Sequence, residues 1–219
     1  MTCVAGIVED GVVYLLADSA GVAGIDIQRR KDPKVFAVGE VIFGFAGSFR
    51  GGQAIKNHLN LRAMYEDEDV EEYVNTEVIE SMRGVLKGIG SSQNEAGQDR
   101  MSAQFLIGVR GRLFLSDMDF QIGELYQNFD SIGCGGDYAI GSLHATAQSN
   151  LDPETRLKMA LEAAEEYSGG VRGPFVSIST KPFVKNSVVP SPKPVVKTSK
   201  AKSTPVKKTP AKKAPAKKG

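Results

Sequence analysis

The chain opens Met1-Thr2-Cys3-Val4-Ala5-Gly6-Ile7-Val8-Glu9-Asp10-Gly11-Val12-Val13-Tyr14-Leu15-Leu16-Ala17-Asp18. Further on it reads Asp32-Pro33-Lys34-Val35-Phe36-Ala37-Val38-Gly39-Glu40-Val41-Ile42-Phe43-Gly44-Phe45-Ala46-Gly47. Val4–Val8 and Val12–Ala17 are β-rich runs, and the Asp-Gly between them is a strong hairpin signal. Val35–Val38 and Val41–Phe45 make a second pair around Gly39-Glu40. The first strand thus begins almost at the N-terminus, with Thr2 immediately before it.

Outward from this segment the periodicity changes. A helix is expected across Gly52–Met64, where Ala54, Ile55, His58, Leu59 and Leu61 lie on or near one face, and a second helical stretch across Val70–Ile89. Gln104–Val109 and Arg112–Ser116 form a hairpin around Arg110-Gly111. Glu124–Phe129 and Ser131–Gly133 read as extended, and Tyr138–Ser149 as helical. Pro153–Tyr167 is the clearest helix: Asp152 is an N-cap, Pro153 stands at N1, and Gly169-Gly170 end it. Phe175–Ser179 is a last strand. Two strand sets, each followed by a helix pair, imply an α+β fold of stacked sheets with helices on their outer faces.

Composition divides the chain. Of 219 residues, 41% are hydrophobic and 24% charged, which suits one domain with a real core plus an appendage. Residues 186–219 hold ten Lys and no acidic residue, whereas the other 185 hold 17 Lys and Arg against all 26 Asp and Glu. The near-neutral total therefore hides a body of about −9 and a tail of +10. The tail consists largely of Lys, Pro, Ala, Ser, Thr and Val, without aromatics, and is expected to be disordered. The domain is then 1–185. No apolar run approaches the roughly 18 residues of a membrane span, and the start lacks a signal peptide's basic region, so a cytoplasmic protein without membrane contact is expected. Two cysteines, Cys3 and Cys134, make no disulfide framework. His58 and His144 stand apart, which gives no Cys/His metal pattern. Neither a metal nor an organic cofactor is implied.

Four features carry chemistry. Removal of Met1 before a small residue would leave Thr2 with a free α-amino group beside its own hydroxyl. Such an amine, with a reference pKa of about 7.7–8.0, can take and return the hydroxyl proton. Asp18 ends the second strand. A cation at Lys34 would favour the neutral, basic amine, and an aspartate paired with it would fix its position. Gly47 closes Gly44-Phe45-Ala46-Gly47, where a glycine lets backbone approach a substrate and an N–H face an oxyanion.

With Thr2, Asp18 and Lys34 at successive offsets of 16 residues, the sequence resembles the proteasome β-subunit and HslV family of threonine hydrolases. The likeness extends to Gly44–Gly47, to Gly133-Cys134-Gly135-Gly136 before a helix, and to Glu165 followed by Ser168-Gly169-Gly170. It spans about residues 2–180. The resemblance implies a four-layer αββα sandwich of two antiparallel sheets and hydrolysis of peptide or protein substrates through an acyl-enzyme. It also implies assembly into a homo-oligomeric ring, with an ATPase as a partner. It assigns Thr2 as nucleophile and base, Lys34 as pKa tuner, Asp18 as orienter and the Gly47 N–H as oxyanion donor, with Cys134, Glu165 and Ser168 around the terminal amine. Cys134 stands where the family has serine, and Glu165 where it has aspartate. No propeptide is expected before Thr2, which looks more like HslV.

Rival readings are specific. Lys31 is the alternative to Lys34, but Lys34 adjoins the apolar strand. Cys3 is the alternative nucleophile, yet successive strand residues face opposite ways, which makes it a core residue. A second functional reading is a catalytically weak or silent ring-forming protein of the same fold. A third is a nucleic-acid-associated protein whose residues 186–219 contact phosphate groups or another polyanion.

Overall fold

A computed structural model describes residues 1–95 and 97–182. The domain boundary at residue 185 and the tail expected to be disordered lie outside the described residues. The element order is β1 (Val4–Glu9), β2 (Val12–Ala17), β3 (Ala20–Ala23), β4 (Asp26–Arg29), β5 (Val35–Val38) and β6 (Val41–Gly47). Helix α1 (Phe49–His58) follows, then α2 (Val70–Tyr73), a π-helical stretch Val74–Ile79, and α3 (Glu80–Gly88). Next come β7 (Ser92–Glu95), β8 (Gln98–Met101), β9 (Ala103–Val109), β10 (Arg112–Ser116), β11 (Ile122–Glu124) and β12 (Phe129–Ile132). Helices α4 (Gly136–Ala145) and α5 (Pro153–Tyr167) precede β13 (Val176–Ser179).

The strands form two antiparallel sheets, ordered β12-β1-β2-β13 and β11-β10-β9-β6-β5, with two separate hairpins, β3-β4 and β7-β8. Strand alternation sorts the side chains into three apolar layers. Cys3, Ala5, Ile7 and Leu16 pack under α4 and α5. Phe43, Phe45, Phe105 and Ile107 pack under α1 to α3. Val4, Val13, Leu15, Ile42, Leu106 and Ile132 fill the layer between the sheets. Helices outside, sheets inside and an apolar seam between them make the αββα sandwich.

The seam is thin. Gly44 faces Val4 across it, and a Cβ at Gly44 would lie 2.5 Å from Val4 Cγ1. At Gly6 the same atom would meet Leu15 and Leu113, and at Gly108 it would meet Val13 at 2.7 Å and Ile42 at 2.8 Å. At these three positions any side chain larger than hydrogen would press on its neighbours.

Several boundaries differ from the sequence reading. Helix α1 starts at Phe49 rather than residue 52, because Ser48 Oγ accepts from the Gly51 N–H and caps it. It stops at His58, where Leu59 turns extended. Helix α4 begins at Gly136 and ends at Ala145 instead of running from 138 to 149. Between β11 and β12, residues 125–128 are not strand. Strand β3 is short and only partly buried, β4 is exposed along its length, and β7 and β8 are mostly polar, so none carries the alternation that marks a buried strand. Helix α5 matches its expected bounds, with Asp152 accepting from the Thr155 N–H. Among the described residues no helix is long and apolar enough to cross a membrane.

Candidate active site

Thr2 lies just before β1, and the alternation along that strand puts it on the seam face with Val4. It is 2% exposed. Met1 is attached, so the Thr2 nitrogen is an amide here; its N–H donates to Cys134 Sγ at 3.3 Å, and Thr2 Oγ1 donates to the Met1 carbonyl at 2.6 Å. Cys3 faces the helices with no exposed surface, and burial pushes its thiol up to about 12. That fits the core role its position suggested.

Asp18 follows β2 and Lys34 precedes β5, so the two sheets each supply one member of a pair. Lys34 Nζ donates to Asp18 Oδ1 at 2.6 Å, and their side chains are 1% and 0% exposed. Burial pulls the Lys34 ammonium below the ordinary lysine value, while the charge and hydrogen bond of Asp18 oppose that shift. Asp18 Oδ1 also accepts from the Cys3 N–H at 3.0 Å; Oδ2 accepts from the Ala20 N–H at 2.9 Å and the Arg172 N–H at 3.3 Å. The Asp18 N–H returns a bond to the Cys3 carbonyl at 3.1 Å. The pair is thereby tied to the main chain next to Thr2. A buried ion pair needs such satisfied lone pairs to offset desolvation. Lys31 is exposed and outside this cluster.

The other side of Thr2 is the turn before α4. Gly135 N–H donates to the Thr2 carbonyl at 3.2 Å, Cys134 Sγ lies 3.5 Å from that oxygen, and the same sulfur is 3.5 Å from Ser168 Oγ. Gly133 has φ +91°, and a Cβ there would press on the Thr2 carbonyl and lie 3.2 Å from Ala46. Thr2, Cys134 and Ser168 therefore form one contact chain. Gly47, beside Ala46 at the end of β6, has φ +123° and is exposed; a Cβ would come within 2.5 Å of the Ser102 carbonyl. Only glycine fits that backbone without strain.

Glu165 sits elsewhere. Its carboxylate accepts from the Gly173 N–H at 3.1 Å and lies 3.9 Å from Arg172 Nη1. It holds the segment whose Arg172 N–H reaches Asp18, one step removed from Thr2. His58 and His144 are exposed at helix ends. Sequence reasoning missed the backbone donors of Ala20 and Arg172, which no side-chain pattern signals. It also missed Phe49, whose ring lies 5.7 Å from Lys34 Nζ and 4.1 Å from the Arg30 guanidinium. Among the described residues no group of three or more His, Cys, Asp or Glu is placed to hold a metal ion.

Comparison with known proteins places this geometry. The family described as proteasome subunit matches residues 1–171. Among solved structures, BPH of Thiobacillus denitrificans in complex with epoxomicin superposes with a TM-score of 0.71 at 20% identity, covering 84% of this chain and 100% of that one. HslV from Trypanosoma brucei gives 0.60 at 16% identity, over 81% and 98% of the two chains. A Gly-1 mutant of Anbu from Hyphomicrobium sp. strain MC1 gives 0.60 at 17%, over 81% and 80%. At such identities these likenesses establish the N-terminal-nucleophile hydrolase fold. No curated protein sequence matches. The chain belongs to the proteasome subunit family.

Proposed function

We propose that the protein is a threonine-type amide hydrolase, a peptidase that works through an acyl-enzyme on Thr2 once Met1 is removed. The observation that carries this reading is the fully buried Lys34–Asp18 pair, bonded to the main chain at Cys3 beside the buried Thr2. A buried ammonium needs a reason to be there, and tuning a neighbouring amine is one. The free Thr2 amine takes the hydroxyl proton as Oγ1 attacks the substrate carbonyl. The Gly47 N–H faces the resulting oxyanion. The C–N bond then breaks, the amine's proton passes to the leaving nitrogen, and an ester remains on Thr2. Water, deprotonated by the same amine, hydrolyses that ester. Lys34 keeps the amine neutral at working pH. Cys134, in contact with Ser168 Oγ, holds the terminal nitrogen, and a thiol does so more weakly than a hydroxyl.

The reading extends to assembly with copies of the same chain into a ring, and to an ATPase as a supplier of unfolded substrate, both in keeping with the family. Cytoplasmic residence belongs to the same proposal. The competing reading is a silent protein of the same fold, which the Cys134 thiol favours. Treatment of the Met1-free protein with epoxomicin, followed by mass mapping, separates the two. An adduct on Thr2 that disappears in Thr2→Ala, with unchanged melting, supports the peptidase. Absence of an adduct, or active protein that retains Met1, rejects it.

A further inference from the structure

The hydrolysis proposed above asks of Cys134 only a hydrogen bond, which a hydroxyl would make better. The residue is nonetheless an exposed thiol, while Cys3 is sealed in the core. Its Sγ stands against three atoms: the Thr2 nitrogen at 3.3 Å, the Thr2 carbonyl oxygen at 3.5 Å and Ser168 Oγ at 3.5 Å. We propose that Cys134 is a redox modification site, at which a peroxide oxidises the thiol and the Thr2 amine captures the oxidised sulfur as a sulfenamide. The inference rests on the Met1-free form of the protein, and does not need the peptidase activity itself.

The sulfur and the nitrogen already stand within the roughly 3–3.5 Å of a near-attack contact. The turn that carries the thiol keeps them there. Gly133, at φ +91°, and Gly135, whose N–H donates to the Thr2 carbonyl, bracket Cys134 against the start of the chain. Ser168 is 9% exposed, and among the described residues the Cys134 sulfur is its hydroxyl's only partner. A thiol at 3.5 Å satisfies a buried hydroxyl poorly, whereas the oxygen of a sulfenic acid on that sulfur would accept a normal hydrogen bond. Met1 lies over the same place, since a Cβ at Gly170 would press on both the Met1 side chain and Cys134 Sγ. Removal of Met1 therefore creates the amine and uncovers the sulfur in one step.

A peroxide is the only oxidant required. The Cys134 thiolate attacks it: an S–O bond forms, the O–O bond breaks, and the hydroxide released takes the thiol's proton as water. Sulfur is oxidised by two electrons and the peroxide reduced by two. The Thr2 nitrogen then attacks the sulfenic sulfur. An S–N bond forms, the S–O bond breaks, and the oxygen leaves with an amine proton as a second water. The protein has lost two hydrogen atoms. A nitrogen bound to sulfur is no longer a base of amine strength, so Thr2 Oγ1 loses its proton acceptor. An incoming thiol attacks the same sulfur, frees the amine and, through a mixed disulfide, restores Cys134. Cys3 does not compete for the oxidant, because burial seals it and pushes its thiol up to about 12. The site thus closes under oxidation and reopens in a reducing compartment.

The test uses the full chain, with intact mass confirming the loss of Met1, treated with a small excess of hydrogen peroxide. Without reductant the mass should fall by about 2 Da, and mapping should join the N-terminal peptide to that of Cys134. Epoxomicin labelling should fall at least about tenfold and return with dithiothreitol. Cys3→Ser should still form the cross-link; its loss there would identify a Cys3–Cys134 disulfide and overturn the proposal. Fragment masses of the joined parent peptides decide the same point, with the bridge on the Thr2 nitrogen or on the Cys3 sulfur. Cys134→Ser should lose no mass, and its labelling, at whatever rate, should not respond to peroxide. Stable oxygen addition at Cys134 with the Thr2 amine free also overturns the proposal, as does a sulfur that peroxide leaves unchanged. A cross-link in protein that epoxomicin never labels would reject the peptidase and keep the sulfenamide. An epoxomicin adduct on Thr2 without a cross-link would do the reverse.

Discussion

Replacing Asp18 by Asn tests the electrostatic core of the site without changing its shape. The ammonium of Lys34 then loses its counter-charge, and one former acceptor oxygen becomes an NH2 group facing backbone donors. Breaking a buried pair by removing one partner typically costs about 3–5 kcal/mol. An upper bound on the charge part follows from the escape route. Lys34 can shed its proton, and at pH 7 that costs about 1.36 kcal/mol for each unit below the ordinary lysine value of 10.5, or about 5 kcal/mol. The sign with pH is definite. The variant's folded state binds fewer protons than its unfolded state at every pH between the depressed folded value and 10.5. Stability therefore rises with pH across that window, by up to about 1.4 kcal/mol per unit. In the parent, Asp18 opposes the burial effect on Lys34 and confines the window to its upper end. The deficit should shrink between pH 7.5 and 9.0, by at most about 2 kcal/mol. Guanidinium unfolding followed by far-UV circular dichroism measures it, since the chain has no tryptophan. Adding Lys34→Met should abolish the pH dependence and recover part of the loss. A deficit below about 1 kcal/mol at pH 7.5, or one constant to pH 9.0, would refute the reasoning.

Other outcomes follow from single positions. Gly44→Ala inserts a methyl between the sheets against Val4 and should destabilise by about 1–3 kcal/mol, with slower epoxomicin labelling; a neutral melt would show that the seam is slack. Asp130 is 5% exposed, its Oδ2 has no hydrogen-bond partner among the described residues, and burial raises its pKa. Folded-state stability should accordingly be highest below pH 4 with respect to this group and fall as pH rises through its folded value. Asp130→Asn should remove that fall, and melts of both proteins from pH 4 to 7 decide it. Iodoacetamide at pH 8 should label Cys134 and spare Cys3, whose thiol is buried and held near 12. Mass mapping checks this, and the alkylated protein should no longer accept epoxomicin.

How far the fold could be read from sequence depended on burial. Strands β1, β2, β5, β6, β9 and β10 each face two apolar layers, and their β-rich runs stood out. Their hairpins were equally plain: Asp10-Gly11 and Arg110-Gly111 all adopt positive φ. Strands β4 and β7 gain nothing from apolar burial and carry no pattern to find. The start of α1 was obscured because Gly51 and Gly52 lie inside it. Gly52 packs directly beneath the Phe45 ring, where a Cβ would come within 2.5 Å, so close packing outweighs helix propensity there. At the site, the spacing of Thr2, Asp18 and Lys34 predicted a cluster, and the structure bonds Lys34 to Asp18 beside Thr2. Glu165 could not be placed by spacing, because its partners Arg172 and Gly173 lie in a loop that returns only in three dimensions.

The thin seam between the sheets has a consequence for how such a chain can change over generations. Thr2 and Asp18 ride on one sheet, while Lys34 and Gly47 ride on the other. The relation between Thr2 and Lys34 is thus a clearance, fixed by the thickness of the apolar layer at residues 6, 44 and 108. A methyl gained on one side must be matched by volume lost opposite, as Gly44→Ala would be by Val4→Ala, which removes the Cγ1 that a Cβ at residue 44 would meet. Substitutions in this layer should therefore be inherited as complementary pairs, and the register of Thr2 with Lys34 would be preserved by residues that touch neither.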